Sequence, residues 1–150
     1  MLPWVGCWNN TALRRLRARP RGADLIALSE AGKLGLRRRI VLPFERKKFR
    51  ETSVVDRPGE WGKLYDTVPD DVETKGDLVV IDIGKDADPY SATNRAILEQ
   101  ATALGKARGE SVAAALVWDG VARGANDYTH QFGAEGRQRD SKCLRSRRPD

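Results

Sequence analysis

The stretch LVWDGVARGANDYT, residues 116–129, gathers residue types that can hold a small anionic or hydroxylated ligand. An apolar run stops on Asp119-Gly120, and Arg123, Gly124, Asn126 and Thr129 follow. A loop leading into a helix start offers unpaired backbone N–H groups and the positive end of the helix dipole to an anion. Gly124 lets a backbone approach closely, and the planar fork of Arg123 matches a phosphate. Asn126 or Thr129 can cap the next helix or bond a ligand hydroxyl. The plainer alternative is that Asp-Gly is an ordinary turn and Asn126 or Asp127 a cap.

Two further carboxylates are candidates for the same ligand. Asp24 opens a helical pattern, where capping competes with binding. Asp82 stands at the end of an apolar run, placed for a ribose or base contact, with capping again the alternative. Glu30 lies six residues beyond Asp24, so the two do not share a helix face and make a poor acid–base pair. Ser53, with Arg50 before it, can contact phosphate or belong to a polar loop. His130 is the chain's single histidine, which leaves it without a histidine partner for a metal. Cys7 and Cys143 give no metal-ligand spacing and no disulfide framework. No metal or organic cofactor is called for. Trp61 and Trp118 sit among apolar neighbours and read as packing residues.

Alternating elements must position these groups. Residues 22–35 carry Leu25, Leu28 and Ala31 at helical spacing, interrupted by Gly32, and Gly35 lies past the end. Residues 36–44 end in an apolar run stopped by Pro43. Residues 45–55 start helical and turn irregular, 56–62 form a loop, and Trp61, Leu64 and Tyr65 predict a short helix before Pro69. Residues 76–84 give the clearest strand, apolar without a break as in a strand covered on both faces. Residues 86–109 form a helix with Asp88 or Ser91 as cap, Pro89 at its start, a stripe of Ile97, Leu98, Ala101 and Leu104, and Gly109 at its end. Residues 111–120 are a second buried strand, followed by a further helix. Strands alternating with helices predict an α/β fold with a three-layer, Rossmann-like, mostly parallel sheet. Both ends look incomplete. LPWVGCW is the one candidate for an opening strand, and RQRDSKCLRSRRPD shows no apolar run for a closing one.

The chain has 150 residues, 40% hydrophobic and 32% charged, with a net charge of +6. It fits one globular domain, with no apolar run approaching the roughly 20 residues of a membrane span. The charge is uneven. Residues 1–21 hold five arginines and no acid, residues 137–150 carry +4, and the body between them is therefore −3. The expected organisation is a basic N-terminal extension (1–21), a Rossmann-like domain (22–136) and a basic, disordered tail (137–150). The basic ends offer weak polyanion binding and the acidic body does not. The N-terminal stretch is Arg-rich and acid-free like a transit peptide, yet the expected location is the cytoplasm, without membrane contact.

Over about 22–136 the residues resemble bacterial Rossmann-like domains of the SLOG group. The resemblance rests on Gly22-Ala23-Asp24 opening a helix, Leu42-Pro43-Phe44 ending a strand, Ser53-Val54, Trp61, YSATNRAIL, and the LVWDGVARGANDYT turn. It implies a sensor that binds a nucleotide or nucleotide-derived ligand at the strand tips, through Asp119, Gly120, Arg123, Gly124, Asn126, Thr129, Asp24 and Asp82. Related branches hydrolyse nucleotide base–sugar bonds or bind single-stranded DNA. The chain departs from the pattern in three ways. LRRLRARPR replaces the Gly-rich loop before Gly22, GANDYT replaces a two-glycine turn, and the final strand is absent; the hydrolase signature PGG.GT..E is missing as well. Non-catalytic binding is therefore the leading expectation. Alternatives are a glycosidic-bond hydrolase using Asp119, Asp24 or Glu30, polyanion binding by the termini, and a truncated or frame-shifted copy without function.

Overall fold

The computed structural model describes residues 4–9, 15–18, 23–55, 60–118, 120–139 and 141–146. They form a mixed α/β fold. Six strands build one sheet: β1 (Trp4–Asn9), β2 (Arg15–Ala18), β3 (Arg37–Leu42), β4 (Leu78–Val80), β5 (Val112–Val117) and β6 (Lys142–Ser146). Their order across the sheet is β4-β3-β2-β1-β5-β6. β2, β3 and β4 run parallel to one another, as do β5 and β6. β1 lies antiparallel to both β2 and β5, so the other five strands share one direction.

Helices α1 (Ala23–Lys33), α2 (Arg46–Ser53), α3 (Trp61–Thr74), α4 (Pro89–Arg108) and α5 (Tyr128–Gln138) supply two cores. Alternate residues of a strand face opposite sides of a sheet, and the burial follows that period. Ile40, Leu42 and Ala115 pack with Leu25 and Leu28 of α1, Phe49 of α2, and Tyr65, Val68 and Val72 of α3. Val41, Ala114 and Leu116 pack with Ile97, Leu98 and Ala101 of α4 and Phe132 of α5. The sheet is thus covered by helices on both faces. Among the described residues no helix is long and apolar enough to cross a membrane.

Ion pairs lock the edges of this packing. At the start of β3, Arg37 and Arg39 converge on the buried carboxylate of Asp77 at 2.6 and 3.0 Å. Between them in sequence, Arg38 turns inward, donating to the Leu28 carbonyl at 3.1 Å and pairing with Asp71. Gly32 makes room for it. A Cβ there would stand 2.5 Å from Arg38 Nη1, which explains a glycine inside α1. Arg46 pairs with Asp70 and Glu73, and Arg50 with Asp66, which clamps α2 to α3. Under that clamp the Tyr65 hydroxyl donates to the Arg46 carbonyl, and burial pushes its pKa to about 12.

Several expectations need correction. The region expected as an N-terminal extension contributes β1 and β2 to the sheet. The region expected as a disordered tail supplies a closing strand, β6, paired in register with β5. Backbone pairing is indifferent to side-chain polarity, and an edge strand does not need a long apolar run. The strand expected over 76–84 is only three residues long and lies at the sheet edge, where Val80 is 46% exposed. α3 continues through Pro69 to Thr74. Proline removes one backbone donor there, and the buried Tyr65, Val68 and Val72 around it hold the helix by packing.

Candidate functional site

The shared direction of five strands brings their carboxyl ends to one edge of the sheet. Crevices at such edges are where open α/β sheets bind ligands. Three described connections meet there: 43–45 between β3 and α2, 81–88 between β4 and α4, and the segment from β5 to α5. Residues 19–22, between β2 and α1, and Asp119 lie outside the described residues.

A chain of aromatic rings links the three connections. Phe44 meets Tyr90 edge-on with centroids 6.5 Å apart, and Tyr90 meets Tyr128 at 5.4 Å. All three rings are partly exposed. Lys48 Nζ stands 4.4 Å over the far ring, Phe44. The Ser53 and Tyr90 hydroxyls lie 3.3 Å apart. At the other end, the Tyr128 hydroxyl donates to Asp88 at 2.9 Å.

Two of the helix starts at this edge, those of α4 and α5, are filled by carboxylates, whereas Glu45 at the start of α2 makes no side-chain cap bond. Asp88 caps α4, accepting the Ser91 N–H at 2.7 Å with Pro89 at the first helical position. Partial burial pushes the Asp88 carboxyl up, but the Ser91 N–H and Tyr128 hydroxyl outweigh it and hold it below the usual carboxylate range. Asp127 caps α5 with one oxygen on the His130 N–H and the other on the Arg123 N–H, both at 3.0 Å. The two helix starts are also stitched together. Asn94 donates to the Tyr128 carbonyl at 2.9 Å, and Ser91 donates to Gln131 at 3.0 Å. Gln131 in turn donates to the Ala125 carbonyl.

The residues expected at the site are gathered only in part. Gly120 and Gly124 both adopt left-handed backbone, at φ 91° and 92°, which a side chain would strain. Arg123 and Asn126 are exposed on the same connection. Thr129 is 1% exposed, inside the first turn of α5, so neither it nor Asn126 is the cap. Asp24 is buried within the first turn of α1. Asp82 is exposed past the end of β4 and does not cap α4. Glu30 pairs with Lys33 on the outer surface, and Arg50 is committed to Asp66. His130 packs its ring against Trp118 at 5.7 Å.

Phe44, Lys48, Tyr90 and Tyr128 were not among the expected site residues. A usable signal exists in the chain. Asp88-Pro89-Tyr90 and Asp127-Tyr128 each place a tyrosine one or two residues after a capping aspartate at a strand-to-helix passage, and Phe44 occupies the matching passage before α2. A separate open groove of about 490 Å³ runs along α3, lined by Glu60, Trp61, Lys63, Leu64 and Thr67. It is distinct from the ring chain.

Fold and edge together define a mixed α/β domain whose strand tips present aromatic rings beside two aspartate-capped helices. No protein-family model, curated protein or solved structure matches the chain.

Proposed function

We propose that the carboxyl edge binds a nucleotide or nucleotide-derived ligand, and that the domain senses this ligand rather than transforming it. The observation that carries the reading is the meeting of Phe44, Tyr90 and Tyr128 from three separate connections. Partly exposed rings in series form a stacking surface, and base–aromatic stacking contributes roughly 1–3 kcal/mol per base. Helices on both faces of a sheet with five co-directional strands support a three-layer, Rossmann-like, SLOG-type reading of the fold, with β1 as its reversed member.

Binding is favoured over hydrolysis by how the described carboxylates are used. Asp88 and Asp127 are held by helix N–H groups, and Glu30 faces away with Lys33. The Asp88 carboxyl lies below the usual carboxylate range, the opposite of what protonation of a leaving group needs at neutral pH. Isothermal calorimetry against a nucleotide panel tests the reading. Binding that Tyr90→Ala weakens at least tenfold is the expected result. A cooperatively folded protein that binds no nucleotide at millimolar concentration would refute it.

A further inference from the structure

We infer that the ligand's phosphate lies beside Lys48, at the Phe44 end of the ring chain, rather than on the N-terminal ends of α4 and α5. This rests on the nucleotide-binding reading above and adds an orientation and a substrate class: a nucleoside carrying a terminal phosphate.

Two sets of observations point the same way. First, side chains of opposite charge contact the two ends of the ring chain. Asp88 terminates it at Tyr128, and Lys48 terminates it at Phe44. Second, the cations of α2 are unequally committed. Arg46 is taken by Asp70 and Glu73, and Arg50 by Asp66. Lys48 has no carboxylate partner among the described residues and is held only over the Phe44 face. An ammonium in that position keeps donors available to an anion. At the opposite end, a phosphate on α4 or α5 would have to displace Asp88 from the Ser91 N–H, or Asp127 from the N–H groups of both His130 and Arg123. It would also face two carboxylates at close range, which like-charge repulsion opposes. A base laid along the exposed side of the Phe44–Tyr90–Tyr128 chain would put its phosphate toward Lys48 and its N–H or O–H donors toward Asp88.

The test measures affinity for the four common ribonucleosides and their 5′-monophosphates, using wild type, Lys48→Ala and Lys47→Ala. Lys47 is the neighbouring exposed cation without a ring contact, so it reports the general charge of the helix. In wild type, the monophosphate should bind roughly tenfold tighter than its nucleoside, and Lys48→Ala should cut that ratio to about threefold or less. Lys47→Ala should leave the ratio near the wild-type value. If Lys48→Ala keeps the full ratio, if Lys47→Ala lowers it equally, or if wild type binds nucleoside and nucleotide alike, the orientation is overturned while nucleotide binding stands. If none of the eight compounds binds the folded protein, both readings fall. Lys48 is exposed, so the substitution leaves the fold intact, and a cooperative melt verifies this.

Discussion

Replacing Asp77 by asparagine should destabilise the fold by an amount that depends on pH. The Asp77 side chain is 2% exposed and accepts from Arg37 Nε at 2.6 Å, Arg37 Nη2 at 2.9 Å and Arg39 Nη2 at 3.0 Å. Arg37 and Arg39 are two apart on β3, so their side chains share a face, and one carboxylate holds two like charges together. Removing one partner of a buried pair costs about 3–5 kcal/mol. Here the arginine side chains are 52% and 31% exposed and can regain water, which brings the expected loss to about 2 kcal/mol. For a domain of this size that is a fall in Tm of about 4–8 °C. The Arg37 hydrogen bond, reinforced by Arg39, outweighs desolvation and holds the Asp77 carboxyl below the usual range. A depressed folded-state pKa gives stability that is present above the unfolded value, about 3.9, and lost as pH falls through the folded value. Urea unfolding followed by circular dichroism at pH 7 should therefore separate wild type from Asp77→Asn by about 2 kcal/mol. The gap should narrow progressively below about pH 4. An equal gap at pH 7 and pH 3, or none at pH 7, would show that the ion pair is not the source of the stability.

Three more outcomes follow from single contacts. Gly32→Ala normally gains about 1 kcal/mol in a helix interior. Here the new Cβ meets Arg38 Nη1 and Cζ at 2.5 and 2.6 Å, so denaturant unfolding should show a net loss, and a gain would refute the steric account. Asp127→Ala should cost about 1–2 kcal/mol as a lost helix cap and speed amide exchange at Arg123 and His130, the two N–H groups it holds. Unchanged exchange at both would contradict the assigned bonds. Tyr128→Phe removes the hydroxyl that helps lower Asp88, so the Asp88 carboxyl should titrate higher by NMR, and an unmoved titration would remove that contact from the account.

The elements that were legible in the sequence are those whose local chemistry agrees with their packing. α4 announces itself through Asp88, Pro89, the Ile97-Leu98-Ala101 stripe and Gly109, whose backbone is left-handed at φ 65°. β5 announces itself by an unbroken apolar run, because it lies within the sheet and is buried along nearly its whole length. The elements that stayed hidden are set by neighbours. β2 and β6 have arginine- and lysine-containing sequences, and their pairing with β3 and β5 is a backbone property. Gly32 inside α1 looks like a defect until Arg38, from a different element, is seen to fill the space. The reversed β1 depends on the loop order of the whole sheet, and no local pattern encodes it.

The same division governs the site. The turn after β5 is recognisable from Gly120 and Gly124, since left-handed backbone leaves a compositional trace. Its polar residues are mostly spent on structure, however. Asp127 uses both carboxylate oxygens to close the turn and start α5, and Thr129 is buried. Capping and anion binding draw on the same helix N–H groups, so a helix start with a committed aspartate has given up its claim on phosphate. The partly exposed rings at the edge and the Lys48 ammonium over Phe44 come from three segments far apart in the chain: Phe44 and Lys48, Tyr90, and Tyr128. The shared direction of β3, β4 and β5 brings them together. The ring cluster is therefore a consequence of topology, and the glycine-containing turn leads into Tyr128, which packs against Tyr90.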